Sequence, residues 1–177
     1  MMRKRTMHEL GRLSAEDFKQ VPKLPLVVVL DNIRSMHNVG SVFRTADAFR
    51  VAKLVLCGYT PQPPHRDIHK TALGATDTVA WEYAATTLAA AHALQAEGYL
   101  LLAVEQTTEA VPLTSYRWDG QRPLALILGN EVEGVSDEVL ALCQQAVEIP
   151  QEGTKHSLNI SVAAGIVLYH LFGCTRG

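Results

Sequence analysis

Apolar residues in this chain fall into short runs separated by polar and glycine-bearing stretches. Val27-Val28-Val29-Leu30 and Leu124-Ala125-Leu126-Ile127-Leu128 are apolar throughout, the pattern of strands covered on both faces rather than one. Runs at 26–30, 54–57, 78–81, 99–104, 124–128 and 146–149 predict strands. Helical spacing predicts helices at about 41–50, 86–97 and 136–144, a weaker one near 68–75, and a last one over about 157–172. Such alternation implies an α/β domain with a mainly parallel sheet and helices on both faces.

The strand ends carry the chemistry. Asp31-Asn32, Glu105-Gln106-Thr107, Gly129-Asn130-Glu131 and Pro150-Gln151-Glu152-Gly153 each follow the carboxyl end of a predicted strand, where open α/β sheets bind ligands. Four such loops are expected to line one cleft. Residues 1–24 read as an appended arm, with a short helix near Met7–Leu13 or Ala15–Lys19, and residues 25–177 as a single domain.

Three constellations stand out. In Asn32–Phe49 the residues Val39, Val42, Phe43, Ala46 and Phe49 form an apolar stripe, which leaves Gly40, Arg44 and Asp47 on the opposite side. Asn38 is suited to cap that helix. Gly40 costs up to ~1 kcal/mol relative to alanine, which fits a close approach by backbone or ligand. In Leu128–Glu138 a strand end meets a glycine turn; Ser136, Asp137 and Glu138 read as an N-cap with acids behind it, which leaves Glu131 unexplained. The third is Ile149–Ile166, a polar loop that runs into an apolar helix. Its Leu158, Val162, Ile166 and Tyr169 recur at helical spacing, so the helix is expected to pack closely on another surface, with Ser157 and Asn159 in a buried first turn.

Charge and composition narrow the chemistry. A net charge of −2 excludes nucleic-acid binding by a global basic excess, so any such contact must be local. Cys57, Cys143 and Cys174 form no CxxC pair and read as buried thiols of a reducing cytosol. His65 and His69 are spaced i, i+4 without a third ligand, so no metal is expected. GxGxxG and GxxxxGK[ST] are both absent, which removes the dinucleotide fingerprint and the P-loop. No stretch reaches the ~20 apolar residues of a membrane span, and the chain reads as cytoplasmic.

Taken in order, Asn38-x-Gly40-x-x-x-Arg44, Gly129-Asn130-Glu131-x-x-Gly134 and Ile149-Pro150…Ser157-Leu158-Asn159-x-Ser161-x-Ala163 resemble the three motifs of the SpoU (TrmH-like) RNA ribose methyltransferases, over roughly residues 25–172. The resemblance implies the SPOUT fold with a C-terminal trefoil knot, S-adenosylmethionine as methyl donor, a homodimer, and a ribose 2′-hydroxyl of tRNA or rRNA as acceptor. It further implies main-chain contacts to the donor at Val104, Glu105, Gln106, Leu128, Gly129, Ile149, Ser157 and Leu158. Arg44 matches the family's catalytic arginine. A guanidinium with a pKa above ~12 deprotonates reluctantly, so alkoxide stabilisation is expected rather than base catalysis. Ser157 is expected to position substrate, with Asn38, Glu131 and Asn159 holding the groups in place.

Arg34, His65, Arg66, Lys70, Lys155 and His156 are candidate phosphate contacts, because they lie in or beside loops near the expected cleft. Two other readings stand beside this one. The first is a knotted enzyme that methylates a base nitrogen; the second is a catalytically silent RNA-binding protein on the same fold.

Overall fold

The computed structural model describes residues 2–6 and 8–176. Seven strands form one sheet: β1 (Leu24–Asp31), β2 (Val51–Cys57), β3 (Ala80–Ala84), β4 (Leu100–Val104), β5 (Val111–Pro112), β6 (Leu124–Leu128) and β7 (Gln145–Glu148). Their order is β3-β2-β1-β6-β4-β7-β5, and every pairing is parallel. The two-residue β5 gives no periodic signal, and its Pro112 lies on the edge strand, where a missing N–H is tolerated.

Strand alternation divides the core in two. Leu26, Val28 and Leu30 of β1 join Leu124, Leu126 and Leu128 of β6 in one hydrophobic cluster. Val27, Val29, Ala125 and Ile127 belong to the other. The first cluster is closed by α2 (Met36–Ala48), α3 (Arg66–Ala72), α4 (Ala75–Thr78) and α7 (Ile160–Cys174); the second by α5 (Thr87–Ala96) and α6 (Asp137–Leu140). Continuously apolar strands are therefore buried on both sides, as their composition requires. Truncating a fully buried residue such as Phe43 or Leu126 to alanine is worth ~2–5 kcal/mol of stability.

Several boundaries differ from the sequence expectation. Ser35, not Asn38, caps α2, its hydroxyl accepting from the Asn38 N–H at 3.2 Å. The helix expected over 136–144 stops at Leu140, because Leu142 and Cys143 turn back onto Val139 and Leu140 with i, i+3 bonds of 3.1 and 3.0 Å. Ser136 occupies the N-cap position without a side-chain cap bond. The final helix begins at Ile160 instead of 157; Asn159 caps it, and Ser157 to Asn159 are exposed rather than buried.

The arm is docked on the domain. After a short 3-10 turn at His8–Leu10, α1 (Ala15–Gln20) is capped by Ser14 and inserts Phe18, only 7% exposed, into the domain. Of the helix considered near Met7–Leu13, Met7 lies outside the described residues. Arg3, one of the leading basic residues, forks onto Glu9 at 2.6 and 3.0 Å, and this holds the Glu9 carboxyl down to about 2.

Candidate functional site

Adjacent strands β6, β4 and β7 end at the same level, and the loops that follow them border a cavity of about 310 Å³. Insertion of β6 between β1 and β4 creates this convergence, because it sets segments distant in sequence side by side. Val104, Glu105, Gln106, Leu128, Gly129, Ile149, Ser157 and Leu158, the eight positions named for the donor, all line it. Glu131 and His156 do so as well. Apolar walls alternate with four carboxylates, those of Glu105, Glu131, Glu133 and Glu148, and neither lysine nor arginine contributes to the lining.

Asn130 organises this site, and the sequence reading assigned it no role. Its amide donates to the Asn32 carbonyl at 2.7 Å and to the Tyr59 hydroxyl at 2.6 Å. Its side-chain oxygen accepts from the N–H groups of Val132 and Glu133 at 2.8 and 3.1 Å. The loop after β6 is thus pinned to the loops after β1 and β2. Both glycines of the turn are sterically required. A Cβ at Gly129 would lie 2.3 Å from the Gly134 carbonyl carbon, and Gly134 adopts a positive φ of 71° against the Glu105 carboxylate. Glu105 also accepts from the Val135 and Gln106 N–H groups at 2.9 and 2.8 Å.

A polar-patterned run, Gly58-Tyr59-Thr60, supplies the remaining support. Thr60 is buried, donates to the Leu30 carbonyl at 3.0 Å and accepts from the Ile33 N–H at 3.0 Å. The loop after β1, expected to line the cleft directly, instead braces it through Asn32 and through the Arg34 N–H, which donates to Glu131 at 3.3 Å. On the far side, Gln106 donates to the His156 carbonyl at 2.8 Å and so ties the loop after β4 to the entrance of α7.

Arg44, Asn38 and Asn159 do not line this cavity. Asn38, in the first turn of α2, accepts from the Asn159 amide at 3.1 Å and joins the starts of α2 and α7. Six residues further on, about 9 Å along the helix axis, Arg44 lines a second cavity between α2 and the arm. One pocket within one chain holding all five residues is therefore not what forms. Gly40 does not face solvent beside Arg44 either. It is pressed against α3, where a Cβ would lie 2.3 Å from the Ile68 carbonyl oxygen.

Among the phosphate candidates, His65 caps α3 by accepting from the Asp67 N–H at 3.2 Å, and Lys70 pairs with Asp67 at 2.9 Å. The Lys70 partner and flanking histidines hold the Asp67 carboxyl below its ordinary range. His65, Arg66, Lys70, Arg34 and Lys155 line neither cavity. His69, the i+4 neighbour of His65, faces the Thr76 hydroxyl at 3.4 Å.

The face of α7 that packs inward is Ile160, Ala164, Val167, Leu168 and Leu171. The stripe Leu158, Val162, Ile166 and Tyr169 points outward, with Val162 50% and Tyr169 68% exposed, so the close packing of α7 within the chain comes from its other face. Phe49, expected to share the inner stripe of α2, lies against Tyr169 and Phe172 with ring centroids at 6.0 and 5.3 Å.

A parallel seven-stranded α/β domain with an acidic cleft at its strand ends is the class this geometry defines. Residues 25–169 match the SpoU rRNA Methylase family, and the chain belongs to that family. It is 36% identical over 152 residues to the 23S rRNA (guanosine-2′-O-)-methyltransferase RlmB of Nitrosomonas europaea, covering 83% of this chain and 55% of that protein. Against the tRNA (guanosine(18)-2′-O)-methyltransferase of Escherichia coli K12 it is 32% identical, covering 81% of this chain and 61% of the relative. The chain thus spans somewhat over half the length of these curated relatives. Among solved structures, the A. aeolicus TrmH/SpoU tRNA modifying enzyme superposes with a TM-score of 0.79 at 27% identity, covering 92% of this chain and 80% of that one. The AdoMet-bound rRNA methyltransferase of Sinorhizobium meliloti gives 0.77 at 26% identity, covering 86% and 58%.

Proposed function

We propose that this protein is an S-adenosylmethionine-dependent RNA methyltransferase that modifies a ribose 2′-hydroxyl of tRNA or rRNA. The observation that carries the reading is the acidic cavity at the ends of β4, β6 and β7, taken with membership in the SpoU family. Its volume of about 310 Å³ lies at the lower end of small-molecule sites. Four carboxylates with no lysine or arginine disfavour a phosphate-bearing nucleotide and suit a cationic ligand. S-adenosylmethionine, when bound, supplies a methyl group activated by a positive sulfonium. Val104 to Gln106, Leu128, Gly129, Ile149, Ser157 and Leu158 would hold it, and the C-terminal segment that borders the cavity is read as threaded into a trefoil knot.

Transfer requires an aligned hydroxyl and stabilisation of the charge that grows on its oxygen as the proton leaves. Arg44 is assigned that electrostatic role, Ser157 the positioning of the ribose, and Asn38, Glu131 and Asn159 the bracing of both. Within one chain Arg44 and the cavity are apart, so the reading requires a second copy. The outward apolar stripe of α7 supports a homodimer, because 158, 162, 166 and 169 run along the helix from the cavity towards the Arg44 side. We propose that a two-fold partner packed on that stripe presents its own Arg44 to this cavity, since a two-fold interface sets the same face of each copy against the other.

Ribose-methylation mapping by mass spectrometry, in total tRNA and rRNA from cells with and without the gene, tests the reaction. One ribose site lost with the gene is the expected result; loss of a base methylation instead, or no change, overturns it.

A further inference from the structure

The second cavity, about 680 Å³, is roofed by residues 11–15 and Phe18 of the arm and floored by α2, the turn between α3 and α4, and the end of α7. Arg12, Arg44, Arg50 and Arg176 line it from separate segments, against the single carboxylate of Asp47, which already accepts the Thr78 hydroxyl. Among the described residues none of these four guanidinium groups joins an ion pair.

Two of the four are held in place by means other than charge. Arg50 adopts a left-handed φ of 53°, with its N–H on the Asp47 carbonyl at 3.1 Å and its carbonyl accepting from Leu24 at 2.9 Å. This is the left-handed conformation that commonly closes a helix, here between the C-cap Phe49 of α2 and the start of β2 at Val51, and it fixes where the Arg50 side chain leaves the backbone. Arg176 stacks on Phe172, its guanidinium carbon 4.7 Å from the ring centroid. Lys23 lies close by, and burial, then the neighbouring Arg50, keeps its ammonium below the usual lysine range. Four guanidinium groups and Lys23 share the one carboxylate of Asp47, so like-charge repulsion outweighs its attraction, and a polyanion in their midst removes that cost.

Resting on the proposed activity, we infer that this arm-roofed cavity binds phosphodiester groups of the RNA beside the modified ribose, with Arg12, Arg50 and Arg176 as contacts in addition to Arg44. The two cavities then divide the ligands by sign: carboxylates face the cationic donor and guanidinium groups face the acceptor's backbone. A cavity of this size, reached by arginines from several segments, suits a run of sugar-phosphate better than one small anion. Substrate selection would therefore reside partly in the arm.

Fluorescence anisotropy with a fluorescein-labelled RNA hairpin tests the assignment on the full chain. In Arg12→Gln/Arg50→Asn, where asparagine tolerates the left-handed backbone, Kd is expected to rise about tenfold and the slope of log Kd against log salt to flatten by about 1.4. S-adenosylmethionine affinity, read by calorimetry, is expected to stay unchanged. Lys4→Gln/Arg5→Gln removes equal charge from the leading tail and is expected to change Kd less than about threefold. Arg12→Gln/Arg176→Gln repeats the test without touching the left-handed residue, with melting curves to confirm folding.

Unchanged RNA affinity in both arginine pairs, or an equal loss in the tail control, overturns the inference. So does saturable inorganic phosphate binding that the pairs abolish while RNA affinity persists. If the pairs lose RNA affinity but the unaltered protein methylates no RNA, the cavity assignment stands and the proposed activity falls. If methylation and RNA affinity both persist in the pairs, the activity stands and the assignment falls.

Discussion

Asn130 shows how one side chain assembles a site it does not chemically serve. Its four hydrogen bonds join the ends of β1, β2 and β6, so Asn130→Ala is expected to cost ~2–3 kcal/mol and to weaken S-adenosylmethionine binding in calorimetry. Asp31, 4% exposed, depends similarly on the Thr87 hydroxyl and on Asn32 at 2.9 Å. Thr87→Val removes a donor from a buried carboxylate and is expected to lower stability by ~1–3 kcal/mol in denaturant titration. Burial pushes the Cys57 thiol up to about 12 and the Cys143 thiol to about 11. Both are therefore expected to resist alkylation at pH 8 in the folded protein. The folded state holds these protons more tightly than the unfolded chain does. Stability from this source is complete below the ordinary thiol value of 9.0 and drains away as pH climbs from there towards 11 and 12. A thermal melting series across that range checks the sign.

At the scale of elements, the central strands were legible, while β5, the start of β3 (expected at 78, where Thr78 still belongs to α4) and one helix face were not. Val27 to Leu30 and Leu124 to Leu128 have no polar position, and only a sheet buried on both faces accommodates that. By contrast α7 is apolar on nearly every side, so its two stripes are equivalent in a periodicity argument, and spacing alone does not say whether 158, 162, 166 and 169 pack on this chain or on another surface. The fold chose 160, 164, 167, 168 and 171 because these face α2 and the sheet. The cap of α2 was ambiguous for a related reason: Asn38 is suited to the task, Ser35 three residues earlier performs it, and composition does not separate them. If the outer stripe is a dimer contact, Val162→Asp is expected to shift sedimentation from dimer to monomer and to abolish methyl transfer while leaving the melting transition cooperative. A dimer that survives the substitution would remove the stripe from the interface.

At the scale of the molecule, the positions that the family resemblance implied for the donor line one cavity because β6, β4 and β7 are neighbours whose loops converge. The placing of Arg44 in a separate cavity was not legible, since motif order places residues along a chain and fixes no distance between them. Mixed dimers decide the matter. Co-refolding Arg44→Ala with Glu131→Ala is expected to recover about a quarter of wild-type transfer if each site draws on both subunits, and nothing if each chain is self-sufficient.

Sheet order also has a bearing on synthesis. β6 fills the slot between β1 and β4, with Leu26 registered on Leu124 and Leu100 on Leu124 from the opposite side. A nascent chain that has emerged only as far as β4 therefore carries two bare, largely apolar strand edges and lacks the strand that closes them. Ribosome-bound intermediates of that length should recruit a holdase, and release from it should coincide with emergence of the segment that completes the ladder.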